Sequence, residues 1–326
     1  MAKKIVIYDV NEYYGGPLVL AALCKTFRDL GYDARVMFTY ALQADAGSKN
    51  GCAEYSMKHL IKQWLTYHVH RVFGNIHLGD AYLLKKTPLT TMSGIKIQYN
   101  PFFNRNKTIV IYPEDMYGNP LGAKHVVRWL LYHYKHENEP GAYGKDDMFV
   151  CYRNIFNSSN LNPKGITLHV AYFDNLLYRQ YNFGPRSGKC YILRKGRSRK
   201  DLPEHFDGPV YDNDMTQEEL VKMFNEHEYC YSYDTQSFYS TIAMVCGCKS
   251  IVVMEPGKTV EDYLGENERR HYGIAYGDTP EQLEYAAKTK ELRLKMLDYR
   301  PKNEANVKAF IPVLEEKFGK LKRIRR

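Results

Sequence analysis

Lys3–Phe38, KKIVIYDVNEYYGGPLVLAALCKTFRDLGYDARVMF, decides the fold. KKIVIYDV (Lys3–Val10) is a short apolar run of the kind that becomes a parallel strand buried on both faces. NEYYGGP interrupts it with turn residues. From Leu18 the apolar positions recur at helical spacing until Gly31, a residue that ends helices because it enters left-handed backbone without a Cβ clash. DARVMF then reads as a second strand. A β-loop-α-β unit that opens at the third residue predicts a doubly wound α/β domain.

Outward from there, Ser56–Val72 reads as a helix and IKIQY as a short strand. Thr108–Tyr134 reads as a strand and a helix. Its apolar run empties into Tyr112-Pro-Glu-Asp, a Gly118-Asn-Pro turn follows, and apolar residues then recur at helical spacing. Met148–Phe156 reads as another buried strand. An Asn-, Gly-, Pro- and Ser-rich stretch over residues 157–188 marks a connection. A second series follows it: strands in KCYILRKG, PVYDN, EYCYSY and KSIVVM, with helices between and after them. TQEELVKMFNEH carries Thr216 as cap and Glu219 at the third helical position. TQSFYSTIAMVCGC ends at Gly247, and TPEQLEYAAKTKELRLKML has Thr279 as cap with Pro280 in the first turn. The domains expected are 1–170, 171–300, and a C-terminal helix with a basic tail over 301–326.

Composition narrows the class. At 44% hydrophobic and 25% charged residues the 326-residue chain is a folded one, and no apolar run approaches the roughly 20 residues of a membrane span. The expected location is the cytoplasm. Seven cysteines, Cys24, Cys52, Cys151, Cys190, Cys230, Cys246 and Cys248, are odd in number and scattered, which reads as buried structural thiols. The formal charge is +9, and KFGKLKRIRR (Lys317–Arg326) carries six basic residues and no acidic one. That tail is either solvated or attached to an anionic membrane surface, peripheral on the inner face of the plasma membrane.

Residues at the carboxyl ends of parallel strands look into a crevice, so the candidates are sought there. Arg194-Lys195 ends one strand and suits an anion such as phosphate. After the strand ending at Tyr233, a helix capped by Asp234 or Thr235 offers free N–H groups with Gln236 and Ser237. Glu255 ends a further strand and suits sugar or ribose hydroxyls. Gly15-Gly16 lets the backbone approach a ligand. Tyr112, Tyr117, Tyr211, Tyr233 and Tyr239 lie where rings can stack on a sugar or base. A GxGxxG fingerprint and a Walker A loop are both absent, which disfavours a dehydrogenase and a P-loop kinase. The nearest acidic triplet, Asp212-Asn-Asp214, reads as part of a polar loop rather than a strand end. His59, His68, His70, His77, His125, His133 and His136 show no metal-ligand spacing.

These stretches resemble the GT-B class of glycosyltransferases. Tyr112-Pro-Glu, Gly118-Asn-Pro and Val126-Val-Arg-Trp-Leu-Leu resemble a pattern of bacterial surface-polysaccharide and rhamnan enzymes. YILRKG, YSYDTQSFYSTIAMVCGCKSIVV and YGIAYGDTPEQLEYA resemble the class's donor domain. The resemblance covers residues 3–300 and implies two facing Rossmann-like domains with parallel sheets, the first for an acceptor and the second for a nucleotide-sugar. It implies a donor diphosphate held without metal or cofactor by Arg194, Lys195 and the Thr235–Ser237 turn, with Gly15, Gly16, Tyr211, Asp234 and Glu255 as further donor contacts. Tyr112, Tyr117 and Asn119 are the acceptor candidates. Glu114, with Asp115 second, is the expected general base. Many retaining members carry a Glu pair on the donor-domain helix, and this chain lacks it. The expected activity is transfer of a hexosyl or deoxyhexosyl group to a saccharide or lipid-linked acceptor. A sugar-nucleotide epimerase is the enzymatic alternative. The net charge raises a nucleic-acid binder as a third reading, but the basic residues gather in one tail rather than interleaving with aromatics.

Overall fold

The computed structural model describes residues 2–10, 15–39, 57–73, 92–116, 118–132, 142–264 and 271–324. Two compact units make up the chain, Met1–Tyr172 with Tyr299–Arg326, and Phe173–Asp298.

The first unit opens with β1 (Lys4–Val10), α1 (Gly15–Asp29) and β2 (Ala34–Thr39), followed by α2 (Met57–Phe73). Its remaining strands are β3 (Thr108–Pro113), β4 (His125–Leu130) and β5 (Met148–Cys151). They form one parallel sheet in the order β2-β1-β3-β4-β5. Strand alternation divides the apolar residues between its faces. Ile5, Ile7, Ile109, Ile111 and Val127 pack on one side with Leu20, Leu23 and Phe27 of α1. Val6, Tyr8, Val110, Tyr112 and Val126 pack on the other with Leu60 of α2.

The segment read as a helix after the Gly-Asn-Pro turn is β4. Every residue from Val126 to Leu130 is buried, so the strand shows no alternation, and an apolar run covered on both faces mimics a helical pattern. The β-branched pair Val126-Val127 and the six-residue length belong to a strand. IKIQY makes a single bridge, Val36 to Ile97, rather than a strand of its own.

The second unit contains β6 (Ser187–Ile192), β7 (Val210–Tyr211), α3 (Gln217–Glu226) and β8 (His227–Ser232). Then come α4 (Phe238–Val245), β9 (Lys249–Val252), α5 (Val260–Leu264), β10 (Ala275–Tyr276) and α6 (Pro280–Met296). Its sheet is also parallel, ordered β10-β9-β8-β6-β7. Thr216 and Glu219 close the expected capping box, and Thr279 caps α6 with Pro280 in its first turn. The six described cysteines are buried free thiols; Cys52 lies outside the described residues.

The last helix, α7 (Arg300–Phe318), belongs to the first unit, where Val307, Phe310 and Leu314 enter the core beside α1. The chain then runs along the amino edge of the sheet. Lys3 N donates to Lys320 O at 2.8 Å and Lys322 N to Lys3 O at 2.7 Å. Lys322 Nζ meets Asp33 Oδ2 at 2.8 Å, Arg323 lies 3.9 Å over the Tyr32 ring, and Leu321 is 5% exposed. The solvated-tail expectation is corrected for residues 321–324, which strap the sheet edge. A buried leucine contributes about 2–5 kcal/mol. Ending the chain after Lys320 is therefore expected to lower unfolding stability by about 2 kcal/mol or more in a urea titration.

Candidate functional site

Both sheets have the same strand order, with the first strand of each unit flanked by its second and third. The reversal between first and third strand is where open parallel sheets bind ligands, at the carboxyl ends. In the first unit that point lies between β1 and β3, in the second between β6 and β8.

In the first unit β1 leads into Gly15 and Gly16 at the start of α1. Neither has a positive φ, an added Cβ at Gly15 would meet nothing within 4 Å, and at Gly16 it would meet only Leu131 Cδ1 at 3.8 Å. β3 ends at Pro113, and Glu114 turns back so that Oε2 accepts the Leu131 N–H at 2.9 Å, just past the end of β4. Burial, opposed by that hydrogen bond and reinforced by the Asp115 charge, pushes the Glu114 carboxyl up from 4.5 to about 7. Asp115 is exposed beside it.

Arg128 holds the loop that carries these carboxylates. It is fully buried in β4, and its Nε donates to Asp147 Oδ2 at 2.8 Å. Nη1 donates to Met116 O at 2.7 Å, and Nη2 donates to Gly118 O. The rings of Tyr112 and Tyr143 lie 4.8 and 5.1 Å from the guanidinium. Arg128 thus pairs with Asp147 and the loop carbonyls, not with Glu114. Tyr112 and Asn119, expected at an acceptor, are spent inside the same loop. The Tyr112 hydroxyl donates to Asn119 Oδ1 at 2.9 Å and accepts the Leu121 N–H at 3.1 Å. Asn119 also clasps Ala123 N and O, and Tyr112 has no exposed surface. These two side chains shape the loop, Tyr112 from inside and Asn119 at an exposed position. Tyr117, His133 and His136 lie outside the described residues.

In the second unit the turn after β6 is a 3-10 segment, Arg194–Ser198. Arg194 adopts left-handed backbone at φ 42°, unusual for a branched-chain-sized side chain, and Asn213 does so at φ 68°. Arg194 Nε donates to Asn213 Oδ1 at 2.7 Å, and its guanidinium lies 4.6 Å over the Tyr239 ring and 3.8 Å from Asp234 Oδ2. Lys195 is exposed beside it with no ion pair among the described residues. Gly196 allows the turn to touch β8: an added Cβ would stand 2.4 Å from Tyr233 O. Arg199 ties the neighbouring strand ends together, donating from Nη1 to Val253 O at 2.6 Å and from Nη2 to Met254 O at 3.1 Å.

The helix expected to begin at Asp234 or Thr235 begins at Phe238, with Ser237 as cap; Ser237 Oγ accepts the Tyr239 N–H at 3.2 Å. Asp234 is buried at 4% exposure next to Arg194, and it closes a turn by accepting the Ser237 N–H on its backbone oxygen. Its Oδ2 is buried, makes no hydrogen bond among the described residues, and lies 3.8 Å from Arg194 Nη1. Thr235 is half-buried and Gln236 exposed along that turn. Tyr211 is buried against the Tyr239 ring, 4.9 Å between centroids. Glu255 is exposed after β9, where its N–H donates to the Tyr263 hydroxyl at 2.8 Å. The Asp212-Asn-Asp214 triplet follows β7 directly, a strand end after all, and Asp212 pairs with Arg197 at 2.6 Å. Arg194, Lys195, Asp234, Thr235, Gln236, Ser237 and Tyr239 thus gather at the β6–β8 switch point. Gly15 and Gly16 belong to the other unit, at the start of α1. Among the described residues no group of three or more His, Cys, Asp or Glu is arranged to hold a metal ion, and no helix is long and apolar enough to cross a membrane.

No family model and no curated protein sequence matches the chain. Among solved structures, 98% of it aligns with all of Spinosyn Forosaminyltransferase SpnP at 11% identity and a TM-score of 0.39. The glycosyltransferase SnogD from Streptomyces nogalater is matched over 94% of this chain and 99% of its own, at 10% identity and 0.36. A structure described as trehalose-6-phosphate from E. coli bound with UDP-2-fluoro glucose is matched over 96% and 99%, at 10% and 0.42. Two of the three are transferases by name. The chemistry of the site rests on its own residues.

Sequence reading passed over Asp147 and Arg199, and it named Arg128 and Asn213 without the partners they have here. An arginine inside an apolar run was the available signal for Arg128, because a strand buried on both faces tolerates a charge only with a partner.

The raised Glu114 carboxyl has a measurable consequence. The folded state keeps the proton where the unfolded chain has lost it, so stability falls as pH rises from about 4.5 through about 7. Glu114→Gln is expected to flatten that fall while keeping the Leu131 N–H satisfied, as read by urea unfolding across the range.

Proposed function

We propose that the chain is a GT-B glycosyltransferase that moves a sugar from a nucleotide-sugar to a saccharide or lipid-linked acceptor in surface-polysaccharide assembly. The observation that carries the reading is a matched pair of switch points. One bears a carboxylate poised near neutrality, and the other bears a cationic turn beside a helix start. The second unit's edge takes the donor diphosphate, with Lys195 as a mobile cation, Arg194 as a fixed one, and the Ser237 hydroxyl and first-turn N–H groups of α4 as donors. Tyr239 and Glu255 bound the sugar and nucleoside portions.

In the reaction the acceptor hydroxyl oxygen bonds to the anomeric carbon. The glycosyl–phosphate C–O bond breaks, and its electron pair goes to the diphosphate. Fixed cations and backbone dipoles stabilise that charge as it develops. Glu114 takes the hydroxyl proton, which requires its ionised form, so turnover rises through about pH 7. A carboxyl with that value is half ionised where the reaction runs, which suits a general base.

A thermal-shift series with UDP, dTDP and GDP tests the donor site. At a hundred times Kd the right nucleotide adds about 2.7 kcal/mol of stability. The Lys195→Ala protein is expected to need about tenfold more nucleotide for the same shift. No shift with any nucleoside diphosphate, or an unchanged one in that variant, removes the reading.

An anionic membrane surface remains the proposed meeting place with the acceptor. Lys317, Lys320, Lys322 and Arg323 are all exposed near the strap, but Lys322 and Arg323 also hold Asp33 and Tyr32. Charge reversal at Lys317 and Lys320 therefore isolates the surface effect from the fold. Flotation with phosphatidylglycerol vesicles is expected to fall severalfold in that double Glu variant, each cation adding about 1 kcal/mol. Equal flotation rejects the membrane partner.

A further inference from the structure

The carboxyl edge of the first unit has an aromatic surface that neither the loop clamp nor the proton transfer uses. Tyr132 stands two residues past the end of β4 and is 63% exposed. Its backbone N–H, with that of Leu131, faces the Glu114 carboxylate. The Tyr132 ring meets the Phe156 ring at 5.3 Å between centroids and 47° between planes. Phe156 ends the 3-10 turn Asn154–Phe156 that follows β5, and Ile155 in that turn is 68% exposed. Exposed aromatic and aliphatic side chains thus stand beside the backbone that holds the Glu114 carboxylate.

On the sugar-transfer reading of this edge, we infer that Tyr132 and Phe156 form a platform for the pyranose ring of the acceptor, next to Glu114. A pyranose whose hydroxyls lie around its rim presents faces of C–H groups. Those weakly positive hydrogens meet the negative face of an aromatic ring, while the rim hydroxyls stay free for polar partners. The placement follows from the backbone: the residue that offers its N–H to Glu114 also carries the exposed ring. A ring seated on Tyr132 brings a rim hydroxyl toward the Glu114 carboxylate, whose proton uptake the reaction needs. Other apolar guests, such as an acyl chain, would cover the same surface without supplying a hydroxyl.

Saturation-transfer NMR on the full chain, with methyl hexopyranosides and methyl deoxyhexopyranosides as probes and the acyclic alditol mannitol as control, tests this. Ring C–H protons of at least one pyranoside are expected to receive transfer, and mannitol is not. Tyr132→Ser is expected to reduce that transfer at least fivefold, and Ile155→Asp to reduce it as well. Both changes are at exposed positions, so unchanged thermal unfolding certifies the fold. Absence of transfer from every pyranoside, equal transfer from mannitol, or undiminished transfer in Tyr132→Ser overturns the platform. So does flotation of the wild-type chain with neutral phosphatidylcholine vesicles that Ile155→Asp abolishes. Pyranoside binding lost in the variants, with no nucleoside diphosphate bound, upholds the platform and rejects sugar transfer. Nucleotide binding without pyranoside binding does the reverse.

Discussion

A guanidinium with no exposed surface, inside a parallel sheet, is the constraint on which the first unit's edge depends. Removing one member of a buried ion pair costs about 3–5 kcal/mol, because the remaining charge has no water to return to. Arg128 can stay charged only while Asp147 and the carbonyls of Met116 and Gly118 surround it. The loop after β3 is therefore not free to choose its shape. Its backbone is bent to feed the arginine, and Tyr112 and Asn119 lock the far side of the same bend. Glu114 is held against β4 as a result, half-buried, with its carboxyl raised by that burial.

The second unit solves the same geometric problem with different chemistry. Its β6 turn is forced into left-handed backbone at Arg194 and pressed against β8 at Gly196, where a Cβ has no room. Arg194 is steadied by Asn213, Tyr239 and Asp234, which fixes one cation, while Lys195 is exposed beside it. Two adjacent cations at a strand end suit an anionic ligand. Arg199, reaching from the same turn to two carbonyls past β9, keeps the strand ends from spreading.

The opening β-loop-α-β unit was legible because its elements are long and its stops are chemically explicit, as at Gly31 with φ 83°. Thr216 with Glu219 and Thr279 with Pro280 were legible for the same reason: a cap is a local interaction between neighbours in sequence. β4 was not, since burial on both faces erases the period that separates strand from helix. The start of α4 was missed because three good capping residues, Asp234, Thr235 and Ser237, stand together, and local preference does not choose among them; a turn from Asp234 to Ser237 comes first and Ser237 takes the cap. Glu114 and Arg194 could be nominated from their positions at strand ends. The partners that set their properties, Leu131 and Asn213, are 17 and 19 residues away, and no spacing rule reaches them.

The route of α7 has a consequence for biogenesis. The second unit is a continuous stretch, Phe173–Asp298, whereas the first is completed by residues that follow the whole of it in synthesis. Domains generally fold as they emerge, the earlier one first. Here Val307, Phe310 and Leu314 reach the surface beside α1 only after the whole second unit has been made, so the unit begun first is completed after the one begun second. While the second unit is being made the apolar face of Leu20, Leu23 and Phe27 stands incompletely covered, a window in which chaperones and off-pathway association compete for the nascent chain.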